Sequence, residues 1–354
     1  MKLNRLAASQ GLTRPELSVL IAYGKMMLKE RFNTPEITDN PYHRKLLISA
    51  FPAVLQKRYA EQMEQHPLRS EIIATKLTNN LINDMGMNFV FRMQEETGAN
   101  IDEIANAYCV VKGIFSMESL WAEVQDLDNK VSAQTQLSML ESMRRTLRRA
   151  SRWYLRHGVK SMGIQEAIDS YTSTFADLFK NLKDYLVEEE YQELEANCAR
   201  LTNAGVPDDI AYKVSSLSNL FPCLDLAQIA KAEGRSIKLV ASLYFKLGSR
   251  LELHWFLEQI NKQTVSNHWQ ALARASYREE LDWQQRALAT VLLTGAPKNN
   301  DAEMILGTWM EHNQALLERW YSMMSEFKTS STHEFAKFSV ALRELMLLSI
   351  NANA

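Results

Sequence analysis

The 354-residue chain is 46% hydrophobic and 23% charged with a formal net charge of −2, enough apolar material for a large core and no global charge that calls for nucleic acid or an anionic membrane. Three widely spaced cysteines, Cys109, Cys198 and Cys223, argue against a disulfide framework or a zinc ribbon and for a reducing compartment, the cytoplasm. No signal-peptide pattern opens the chain, no apolar run is long enough for a bilayer, and neither G-x-G nor G-K-[ST] occurs, so the usual backbone cradles for NAD or ATP are missing.

In chain order, "LTRPELSVLIAYGKMMLKERF" predicts a helix. A Thr13–Glu16 capping box opens it, Pro15 sits in the first turn, and Leu17, Leu20, Ile21, Gly24, Met27 and Leu28 form its apolar stripe. Asn40-Pro41 restarts a helix, and Phe51-Pro52 and His66-Pro67 interrupt it. From Leu68 one helix is expected to run through "EIIATKLTNNLINDMG" as far as "EETG", where Gly98 caps it. Asn100 and Glu103 form a second capping box, and Ser116 is expected to cap "MESLWAEVQDLDN".

A long helix follows in "VSAQTQLSMLESMRRTLRRASRWYLRHG", with Leu140, Met143, Leu147, Ala150 and Tyr154 as its buried stripe. The second half is helical again, from "FADLFKNLKDYLVEEEYQELEANCARL" through "RSIKLVASLYFKLGSRLELHWFLEQI" to "NDAEMILGTWMEHNQALLERWYSMM". Strand signals are nearly absent. The expected fold is all-α, an elongated multi-helix assembly. Its two packed modules, 1–157 and 158–354, meet at a soft boundary near His157–Gly163, or form one continuous domain.

Few residues suggest chemistry. The histidines form no H-E-x-x-H, so no metal site is expected, and His254 reads as a half-buried partner of Glu258 one turn away. Cys109 in "AYCVVKGIF" reads as a small core hydrophobe. Arg144, Arg145, Arg148, Arg149, Arg152 and Arg156 crowd one helix with Trp153 and Tyr154. That pattern fits a nucleic-acid face, an acidic partner surface, or a salt-bridged helix face complemented by Glu188–Glu195. The structural reading is favoured.

Thr75, Asn79 and Asn83 recur every four residues and share a helix face. Asparagine is a poor helix former, so the stripe is either exposed filler or buried and hydrogen-bonded to a neighbouring helix or domain. Burial is the expectation, because Ile72, Ile73, Leu77, Leu81 and Ile82 already wrap the helix. With Arg144, Arg145, Arg148, Arg149 and Arg152, these three residues are the candidate interdomain or interface contacts.

The order of the segments is more specific than any one of them. "LTRPELSVLIAYGKMMLK", "HPLRSEIIATKLTNNLINDMGMNFVFRMQEETG" and "LWAEVQDLDNKVSAQTQ" resemble the region after the catalytic domain of the very large NAD-specific glutamate dehydrogenases of bacteria. "AGVPDDIAYKVSSL", "YFKLGSRLELHWFLEQI" and "WQALARASYREELDWQQRALATVLL" continue that likeness in the same order over essentially the whole chain. Ser70, where the family often has a second basic residue, and Gly24, at another small-residue position, are the small departures.

The resemblance implies a parent enzyme that converts L-glutamate, NAD and water to 2-oxoglutarate, ammonium and NADH. The family's catalytic, NAD-binding and substrate residues belong upstream, so no catalytic, cofactor or metal residue is carried over to this chain. The implied role is structural, oligomerising or allosteric support, with the upstream catalytic domain and a homo-oligomer as partners. Met1 opening directly on "KLNRLAASQGLTRPE" suggests a C-terminal piece or a separately started fragment. The competing reading is a free-standing interaction module that docks through the arginine helix 144–156.

Overall fold

The structure, a computed structural model, describes residues 11–158, 161–329 and 335–351. Every regular element among them is helical, as the periodicity predicts. The helices of eight residues or more begin with α1 (Arg14–Phe32), α2 (Arg69–Met85), α3 (Phe89–Thr97), α4 (Ile101–Ile114), α5 (Met117–Gln125), α6 (Ala133–His157), α7 (Ile164–Lys180) and α8 (Glu188–Asn203). They continue with α9 (Asp208–Ser215), α10 (Cys223–Glu233), α11 (Ile237–Arg250), α12 (Leu253–Lys262), α13 (His268–Gly295), α14 (Ala302–His312), α15 (Gln314–Thr329) and α16 (Phe335–Asn351). No helix of the described residues is long and apolar enough to cross a membrane.

The chain divides into two compact units, Met1–Thr172 with Ala204–Leu217, and Ser173–Asn203 with Ser218–Ala354. The first is built around α4. Ile104, Ala105, Ala107, Tyr108, Cys109, Val110, Val111 and Ile114 are all buried, leaving that helix little polar face. A helix so nearly apolar all round needs neighbours on every side, and α1, α2, α3, α5 and α6 supply them. Its start is the predicted box: Asn100 Oδ1 accepts from the Glu103 N–H at 2.8 Å, and Glu103 Oε2 accepts from the Asn100 N–H at 2.9 Å. Near its end, Gly113 lets Ile168 come so close that a Cβ there would lie 2.8 Å from Ile168 Cγ1.

Two expectations about helix ends are altered in this unit, both at residues of positive φ. The run from Leu68 to Gly98 is two helices, because Gly86 takes φ 85° and separates α2 from α3. Ser116 stands at the N-cap position of α5 as expected, but its side chain makes no cap hydrogen bond; it takes φ 49° and turns the chain between α4 and α5.

The second unit is organised by α13, which packs against α10, α11, α12, α14 and α16. Its core holds Phe256, Trp320, Phe327 and Phe338, with ring centroids of Phe327 and Phe338 5.1 Å apart and those of Phe256 and Phe338 5.4 Å apart. The Trp320 indole N–H donates to the Leu251 carbonyl at 3.1 Å, so this buried ring leaves no polar atom unpaired. Glu252, at φ 55°, ends the single run expected across "LGSRLELHWF" and starts α12.

Candidate functional site

Helix α2 buries Ile73, Ala74, Leu77, Thr78, Leu81, Ile82 and Met85 on one side. Its other side carries the polar stripe, and the structure corrects the expectation that this stripe is buried. Thr75 and Asn83 are exposed and Asn79 is half-buried. All three line an open groove of about 700 Å³ together with Ala50, Leu68, Glu71, Ile72, Lys76 and Asn80. At the end of the stripe, Asn83 Oδ1 accepts from Lys25 Nζ of α1 at 3.1 Å. The Thr75 hydroxyl and the Asn79 carboxamide have no hydrogen-bond partner among the described residues, so their polar groups are open to the groove.

The arginine helix is seated on neighbouring helices. Arg144 donates from Nε to the Asp84 carbonyl at 2.7 Å and from Nη2 to the Asn83 carbonyl at 3.2 Å. A cation thus meets the C-terminal carbonyls of α2, where the helix dipole favours it. Arg152 donates from Nε to Glu96 Oε2 at 2.9 Å, both side chains being only 10% exposed, and Arg156 donates to the Glu96 carbonyl at 2.8 Å. Arg145 is exposed and reaches only the Glu141 carbonyl of its own helix, at 3.4 Å. Arg149 is half-buried.

Arg148 differs from its neighbours. Burial, and then the charge of Arg92, lower its affinity for its proton, with Arg152 and Arg144 adding to the effect and Glu96 opposing it. Glu96, whose charge opposes that shift, is already engaged by Arg152.

The titratable groups at the core of this unit are poorly suited to catalysis. Tyr108 donates to Asp84, and Lys112 donates to the same carboxylate at 2.7 Å and to the Tyr108 oxygen at 3.2 Å. Burial, then the Asp84 charge, raises the Tyr108 pKa far above the ordinary phenol value. Burial pushes the Cys109 thiol up to about 12, which suppresses the thiolate that nucleophilic chemistry requires. His43 is fully buried with neither ring nitrogen hydrogen-bonded, and burial, aided by Lys45, pushes it down to about 4.

In the second unit, His254 is exposed and shares a hydrogen bond with Glu193 Oε2 at 2.8 Å, while Glu258 pairs with Lys262 at 2.7 Å. The expected His254–Glu258 pairing is therefore replaced by one with α8. Among the described residues no group of His, Cys, Asp and Glu has a metal-holding arrangement.

Comparison with known proteins identifies the family. The family model described as "Glutamate dehydrogenase, C-terminal" matches residues 9–347. The chain belongs to that family. It is 36% identical over 345 residues to the NAD-specific glutamate dehydrogenase of Pseudomonas aeruginosa, an alignment covering 98% of this chain and 21% of the relative. The protein of the same name from Halomonas elongata is 36% identical over 349 residues, covering 98% and 22% respectively. The Mycobacterium tuberculosis protein is 26% identical over 341 residues, covering 96% and 21%. The chain thus spans about one-fifth of the length of the curated relatives it matches.

Sequence reasoning missed one surface feature. Of the stripe assigned to α1, Leu28 is buried, but Leu17, Ile21 and Met27 are exposed, as are Val19, Tyr23 and Met26 between them. The signal was present in "LSVLIAYGKMM", which places apolar residues on both sides of the helix instead of on one.

Proposed function

We propose that this chain is a non-catalytic helical region of an NAD-dependent glutamate dehydrogenase that converts L-glutamate, NAD and water to 2-oxoglutarate, ammonium and NADH in the cytoplasm. It supports the catalytic part structurally, through oligomer contacts or by biasing closure of the active-site cleft. The carrying observation is family membership over residues 9–347 combined with relatives of which the alignment covers only about one-fifth. Hydride transfer from glutamate needs a closed, water-poor cleft that holds both substrate and nicotinamide. The groove on α2 is open and lined by carboxamides, a threonine, aliphatic groups and the charged Glu71 and Lys76, a mixture that suits contact with another protein surface.

The test is direct. Purified chain is mixed with L-glutamate and NAD, and NADH absorbance is followed. No turnover is expected, and clear turnover would overturn the non-catalytic reading. In the full-length Pseudomonas aeruginosa protein, removal of the matched region should abolish activity or change the oligomer. An unchanged enzyme would refute the supporting role.

A further inference from the structure

The first half of helix α1 is more exposed than its second half. At about 100° per residue, Leu17, Ile21, Leu28 and Phe32 fall on one side. That stripe is fully buried at Leu28 and Phe32 and 41% and 38% exposed at Leu17 and Ile21. Val19, Tyr23 and Met26 occupy the opposite side, exposed by 54%, 67% and 66%. The first half of the helix is therefore apolar on two sides and fully covered on neither. A helix with this pattern is normally buried, and an exposed apolar patch of this kind marks an interaction surface.

The patch continues into the carboxamide groove. Lys25 follows the exposed turns of α1 and donates to Asn83 at the groove's end, and Gly24 lies beside Met87 just beyond α2. One surface thus combines apolar side chains, which gain from being covered, with the Asn79 carboxamide and Thr75 hydroxyl, which have unused hydrogen-bonding capacity.

We propose that this surface, the first half of α1 with the adjoining α2 groove, is where the preceding part of a full-length glutamate dehydrogenase of this family docks. The inference rests on the reading under Proposed function and adds to it the face that is used. Two observations select this occupant. The matched family region is described as C-terminal and covers about one-fifth of the relatives, so the rest of such a chain lies on its N-terminal side. Helix α1, starting at Arg14, is the first described helix of the match that begins at residue 9. The occupant accordingly wraps the first half of α1, apolar against Leu17 and Ile21 on one side and against Tyr23 on the other, and offers backbone or side-chain hydrogen-bonding groups to Asn79.

Cysteine protection tests this. Tyr23→Cys is made in this chain, and cysteine is placed at the aligned position of the full-length Pseudomonas aeruginosa enzyme. Maleimide labelling is followed by peptide mass spectrometry, with sedimentation run on both proteins. The expected result is rapid labelling in the isolated chain at every concentration and at least tenfold slower labelling in the full-length enzyme. Equal rates in the two proteins would overturn the proposal. So would concentration-dependent protection in the isolated chain accompanied by a dimer mass, which would make a second copy the occupant. NADH formation by the isolated chain would instead overturn the non-catalytic reading, whatever the labelling shows.

Discussion

Arg152 on α6 and Glu96 on α3 form a two-helix clamp inside the first unit, with Nε 2.9 Å from Oε2 and each side chain 10% exposed. Removing one member takes from the other its close charge partner where water cannot fully solvate it, a loss of about 3 kcal/mol. Glu96→Gln and Arg152→Met should each lower the urea midpoint by that order. The double variant Glu96→Leu/Arg152→Met should recover part of the loss, because both members of the buried pair are removed together. Strictly additive losses would contradict this account of the pair.

Arg148, one turn before Arg152, should behave in the opposite way. Its charge is penalised by burial and by Arg92, and Arg152 already engages Glu96. Arg148→Met keeps the aliphatic stem and removes the repulsion, so stability should be unchanged or higher, within about 1 kcal/mol. If Arg148 instead served nucleic acid, salt-sensitive RNA or DNA binding would be measurable and would vanish in Arg148→Glu. None is expected.

His43 gives the first unit a pH dependence with a defined sign. Its folded pKa lies near 4 against an ordinary value of 6.5, so below 6.5 the unfolded chain takes up a proton that the folded chain refuses. Stability from this group is full above pH 6.5 and falls as pH drops toward 4, by about 3 kcal/mol over the whole window. Carboxylates also titrate at the acid end, so the comparison is made against His43→Phe. The urea midpoint of the variant should decline less between pH 7 and pH 5 than that of the parent chain; equal declines would exclude His43 as the source.

Local chemistry was legible in the sequence, and tertiary placement was not. The Asn100–Glu103 box and the Gly98 cap involve neighbours within a few positions, and both appear in the structure as expected. The helix start at Ser116 was legible, but its left-handed backbone and that of Glu252 were not, because neither residue type announces one. Spacing showed that Thr75, Asn79 and Asn83 share a face, but not that the face looks onto an open groove. Likewise, the carboxylate for Arg152 comes from Glu96, 56 positions earlier, because helix packing brings α3 beside α6.

Close packing at Gly113 predicts a strong single-site effect. A methyl group there would meet Ile168, whose β-branched side chain has few rotamers with which to retreat. Gly113→Ala should lose about 1–3 kcal/mol despite alanine's better helix propensity. Ile168→Val, which removes the atom nearest the added methyl, should restore part of that loss. Failure of the double variant to improve on Gly113→Ala would place the strain elsewhere.

Asn79 separates what the isolated chain needs from what a full-length protein needs. Its carboxamide faces the groove without a partner, so in the isolated chain asparagine at this helical position brings its poor propensity and no compensating bond. Asn79→Ala should therefore stabilise the isolated chain by about 0.5 kcal/mol. In the full-length Pseudomonas aeruginosa enzyme, the same change at the aligned position removes a hydrogen-bonding group from the proposed docking surface. It should speed maleimide labelling at the position aligned with Tyr23. Destabilisation of the isolated chain would mean that Asn79 has an internal partner, and stabilisation in both settings with unchanged labelling would mean that the carboxamide plays no part in docking.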